Sequence, residues 1–94
     1  MAEAKEQIVH RLENLARKVK VLSQGAGNIE CRVFSPQAEG NPYVIEVSSD
    51  RFTRRVEVSL TTVKRLNLGQ PDPILMRDLR TAILVVTRLA ARRA

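Results

Sequence analysis

Aromatic side chains are nearly missing from this chain of 94 residues: there is no tryptophan, and Phe34, Tyr43 and Phe52 are the whole set. Any core must therefore be aliphatic, and with Phe34 the one ring outside the alternating hairpin, binding of single strands by stacking is weakly supported. Cysteine occurs once, at Cys31, so no disulfide can close within the chain. The single histidine, His10, has no second His or Cys at ligand spacing, which leaves no metal-binding set. No nucleophile, base and orienting group stand together, and the acids are scattered, mostly beside a basic residue. A non-enzymatic protein needing no cofactor is the expectation. Gly25-Ala26-Gly27 is not a phosphate loop, because it follows a helical pattern and precedes a strand pattern, the reverse of the order that aims backbone amides at a phosphate. The longest wholly apolar run, Ala82 to Val86, is far short of a membrane span. The start, MAEAKEQIVHRLE, is too charged for a signal peptide, so a soluble cytoplasmic protein with no membrane partner is expected.

What the chain does contain is clear periodicity, and 44% of its residues are hydrophobic. The run Tyr43 to Leu60 alternates apolar and polar positions with period two on both sides of Ser48-Ser49-Asp50. That is the pattern of a hairpin with one buried and one wet face. A two-residue turn at Asp50 and Arg51 sets Ile45 against Val56, Tyr43 against Val58 and Glu46 against Arg55, so that apolar meets apolar and acid meets base. A ribbon of two strands is marginal in water and needs covering. Ile29 to Phe34 alternates in the same way and supplies a third strand. The prolines, glycine and polar residues of Ser35 to Pro42 make the loop between.

Helices flank the sheet. Ala4, Ile8, Leu12, Leu15, Val19 and Leu22 recur at steps of three and four, which predicts an amphipathic helix from about Ala2 to Leu22 that stops at Gly25. The stripe also fits three heptads of a coiled-coil seam. Thr61 or Thr62 is positioned to cap a short helix ended by Gly69, and Asp72-Pro73 to cap a last helix running to about Arg92. The expected fold is α+β: a three-stranded antiparallel meander (29–34, 43–49, 52–60) in the order α-β-β-β-α-α, with the first and last helices on one face. A single domain spans residues 1–94.

Charge singles out the last helix. The chain carries a net +6, and five arginines against one acid lie within residues 74–94, whereas residues 29–60 hold four basic and five acidic residues. At about 100° per residue, Leu75, Leu79, Ala82, Ile83, Val86, Leu89 and Ala90 share one half of the helix, and Arg77, Arg80, Arg88 and Arg92 share the other. Guanidinium groups suit bidentate contact with phosphate. Binding of a nucleic-acid backbone without sequence preference is therefore the leading expectation, through Arg77, Arg80, Arg88 and Arg92. Leu84 lies in the middle of this basic face and Val85 at its edge, so the segment from Ala82 to Val86 is apolar nearly all round. That points to a homodimer through Leu84 and Val85, or through the first helix. The second functional expectation is a self-associating interaction or adaptor module whose arginines serve solubility or an acidic protein partner. Helix, three antiparallel strands and a closing helix is also the order of double-stranded-RNA-binding domains. Thr61-Thr62-Val63-Lys64-Arg65 lacks the lysine cluster those domains carry at the start of the closing helix, and no family is assigned on fold order alone.

Overall fold

A computed structural model describes residues 2–22, 29–38, 40–49 and 51–93. The elements run α1 (Ala2–Leu22), β1 (Glu30–Phe34), β2 (Tyr43–Ser49), β3 (Phe52–Val58), α2 (Leu60–Asn67) and α3 (Pro73–Arg93). This is the expected α+β order, and the strands form one antiparallel sheet in the order β1-β2-β3. Gly25 and the turn through Asn28 lie outside the described residues, as does Asp50 of the hairpin turn.

The hairpin adopts the register that its side chains favour: Ile45 faces Val56, Tyr43 faces Val58 and Glu46 faces Arg55. The parity of β2 is strict, with Tyr43, Ile45, Val47 and Ser49 buried and the residues between them half-buried. In β3 the same parity carries Arg54, opposite Val47. Arg54 is exposed, its aliphatic stem being long enough to carry the charge to water. On β1, Ile29 is buried and Cys31 and Val33 half-buried, while Glu30, Arg32 and Phe34 are exposed.

Both long helices cover the same face of the sheet. α1 packs on β1, α3 on β2 and β3, and the two helices touch each other. Leu12, Ile45, Val47, Val58, Leu79, Ile83 and Val86 are almost completely removed from solvent, each side chain contributing about 1.5–3 kcal/mol over its exposed state. The buried stripe of α1 runs Ile8, Leu12, Ala16 and Val19, with Leu15 half-buried. Leu22, expected on that stripe, is 71% exposed.

β1 begins at Glu30, one residue later than expected, and two boundaries further along also differ from the sequence reading. β3 ends at Val58 instead of Leu60, and α2 is capped by Ser59, not by Thr61 or Thr62. Ser59 has extended backbone angles, φ −68° and ψ 160°, and its hydroxyl oxygen accepts the amide hydrogen of Thr62 at 3.2 Å. That satisfies one of the free amides of the first turn. At its other end α2 closes with paired bonds from the Gly69 amide to the Leu66 carbonyl and from the Gln70 amide to the Arg65 carbonyl. The closure needs a left-handed residue, and Gly69 supplies it at φ 73°.

Candidate nucleic-acid interface

The position of α3 is set at its first turn. Asp72 is only 4% exposed, and its Oδ1 accepts the Leu75 amide at 3.1 Å, the N-cap bond expected of Asp72-Pro73. Its Oδ2 accepts the hydroxyl of Thr62 at 2.6 Å, and Arg65 stands 3.9 Å away. Thr62 in turn accepts from the hydroxyl of Ser59 at 3.2 Å. One chain of hydrogen bonds thus joins the cap of α2 to the cap of α3 and fixes the angle at which α3 leaves the corner. The Thr62 hydroxyl bond holds the Asp72 carboxyl below the usual carboxylate range; burial opposes the shift, and the Leu75 amide and Arg65 reinforce it. The side chain of Arg11 donates to the carbonyl of Leu66, tying α1 to the C-terminal end of α2, where a positive group also meets the negative end of the helix dipole.

On α3 held this way, Leu75, Leu79, Ala82, Ile83 and Val86 face the sheet, and Arg77, Arg80, Arg88 and Arg92 are exposed. The four arginines span about 22 Å of a rigid helix. Arg77 meets Asp78 at 3.5 Å across exposed surface, a pairing of the kind worth about 0–1 kcal/mol and readily exchanged. Arg80, Arg88 and Arg92 have no ion-pair partner among the described residues. Leu84 stands among them, 38% exposed, and Val85 is half-buried at the flank.

The opposite face of the sheet has a different character. Arg32, Glu46 and Arg55 form a cross-strand row in which Glu46 accepts from Arg55 at 3.3 Å, while Arg32 pairs with Glu30 of its own strand at 3.4 Å. Both arginines of this row are thus met by glutamates. Phe34 is 47% exposed and lines a shallow hollow with Pro36, Pro42, Val44 and Arg55. It is one ring without a second to continue a stack.

His10 is exposed on α1, and among the described residues no group of three His, Cys, Asp or Glu could hold a metal ion. Burial pushes the Cys31 thiol up, and Lys20 opposes that only in part, so the thiolate that nucleophilic chemistry requires is disfavoured. Among the described residues no helix is long and apolar enough to cross a membrane.

No family model matches the chain, and no curated protein or solved structure matches it.

Proposed function

We propose that the protein is a non-enzymatic binding module that engages the sugar-phosphate backbone of nucleic acid through α3. One observation carries the reading: Arg80, Arg88 and Arg92 project from one face of a firmly capped helix with no carboxylate to neutralise them among the described residues. On the open face of the sheet Arg32 and Arg55 are paired with glutamates, and the exposed Arg54 stands singly on β3; on α3 the arginines form a row along which a polyanion can lie. Such contacts position a protein on a duplex without reading its sequence.

The test compares wild type with an Arg80→Ala/Arg88→Ala/Arg92→Ala variant, by fluorescence anisotropy on labelled DNA and RNA duplexes of about 20 base pairs at low salt. The substituted side chains are exposed and alanine favours helix, so circular dichroism should be unchanged. The proposal expects an affinity loss of at least tenfold, about 1.4 kcal/mol. Equal affinities, or no binding by wild type, reject it.

A second reading is supported by Leu84, an aliphatic side chain open to solvent in the middle of the arginine row. A homodimer seated on Leu84 and the flank of Val85 would cover it and leave the arginines as a solvated rim.

A further inference from the structure

Between α1 and α3 lies a groove whose apolar floor offers a phosphate chain nothing to bind. Val19 and Leu22 of α1 and Pro73, Met76, Arg77 and Arg80 of α3 line a shallow groove of about 420 Å³. Four of these side chains are apolar, two are basic and none is acidic. Val19 forms the buried floor and Met76 is half-buried, whereas Leu22 and its neighbour Val21 are both open to solvent. Lys18, one helical turn before Leu22, is exposed and adds a third positive group on the same flank of α1. Placing phosphates over Leu22, Val21 and Met76 would gain nothing from their aliphatic surface; an occupant with apolar side chains of its own would.

Two touching helices leave a furrow that a third helix can fill, with apolar residues at helical spacing seated on the floor. The rim selects its charge: Arg80 is without an ion-pair partner among the described residues, and Arg77 holds only the exposed contact to Asp78. Carboxylates flanking the apolar stripe would meet both. A second copy of this chain is a poor occupant, because residues 1–22 and 74–94, which form its long helices, both carry net positive charge. We infer that the α1–α3 groove is a docking site for an acidic amphipathic helix of a partner protein. This goes beyond the nucleic-acid reading and shares only the Arg77 and Arg80 end of the arginine row with it, since Arg88 and Arg92 lie about 12 Å or more further along α3 than Arg80.

The experiment titrates isotope-labelled full-length protein with a synthetic acidic amphipathic peptide of about 15 residues, leucine on one face and glutamate on the other. Two controls replace its leucines by alanine or its glutamates by lysine. The expected result is micromolar binding with nuclear magnetic resonance shifts centred on Leu22, Met76, Arg77 and Arg80. Neither control should bind comparably, and the uncharged substitution Leu22→Ser should cost at least fivefold in peptide affinity while leaving duplex affinity within about twofold. Arg88→Ala/Arg92→Ala should do the reverse, which separates this site from the backbone-binding one. Equal binding by the alanine control, shifts centred on Arg88 and Arg92, or no binding of the acidic peptide overturns the inference. Leu22 is exposed, so its replacement leaves the fold intact; a circular dichroism spectrum checks this.

Discussion

The hydroxyl of Thr62 donates to the carboxylate of Asp72 across 2.6 Å, with both side chains buried. This bond makes the two caps one unit, since Asp72 also accepts the amide of Leu75. Thr62→Val keeps the volume but leaves a buried carboxylate short of a partner and should destabilise the fold by about 1–3 kcal/mol. Asp72→Ala should cost a similar amount by removing the cap of α3 as well. Urea unfolding of both single variants and the double variant should show non-additive losses, the double costing less than the sum of the singles.

Acid should act on the same carboxyl. The Asp72 pKa is lowered in the folded state, above all by the Thr62 hydroxyl bond. Its ionised form therefore contributes stability that is complete above the unfolded value near ~3.9 and is lost as pH falls through the lower folded value. Wild type should lose stability more steeply than Asp72→Asn below about pH 4, as measured by thermal melts across a pH series. Parallel curves for the two proteins would remove Asp72 as the cause.

Core and surface substitutions should separate cleanly. Leu79 is completely buried against the sheet, and Leu79→Ala should cost about 2–5 kcal/mol. The Arg55 to Glu46 pair lies on the open face at 3.3 Å, and Arg55→Ala should cost no more than about 1 kcal/mol. Chemical denaturation decides both, and a reversed order would contradict the placement of the core.

Self-association gives Leu84 a second role to test. If the side chain is covered by another copy, sedimentation should show a dimer that Leu84→Asp converts to monomer, with no duplex binding by wild type. If wild type is monomeric at high micromolar concentration, the dimer reading fails and Leu84 is a solitary exposed aliphatic.

The parts of this fold that were legible in the sequence are those with local periodicity. The hairpin register followed from alternation joined to the opposition of Glu46 and Arg55, because a slip by one residue would turn every apolar side chain to water. The arginine row followed from the helical repeat. The start of α2 did not: Val58 and Leu60 continue the strand alternation, and Ser59, Thr61 and Thr62 are all competent caps, while the bond from Thr62 to Asp72, which occupies the Thr62 hydroxyl, joins residues that no local pattern pairs. Leu22 fits the helical stripe of α1 by spacing, yet it lies open at the mouth of the groove with α3, and no local pattern reveals how two helices distant in sequence come together. The same is true of Arg11, whose partner is a backbone carbonyl of α2.

The salt dependence of duplex binding tests the central claim most directly. Three or four arginine contacts to phosphate should give a slope of log affinity against log salt of about −3 on B-form DNA, a loss of ~40-fold or more between 50 and 200 mM. Each of Arg80→Ala, Arg88→Ala and Arg92→Ala should flatten that slope by about one. A slope near zero, or one that none of the three substitutions changes, would show that α3 does not lie against a nucleic-acid backbone.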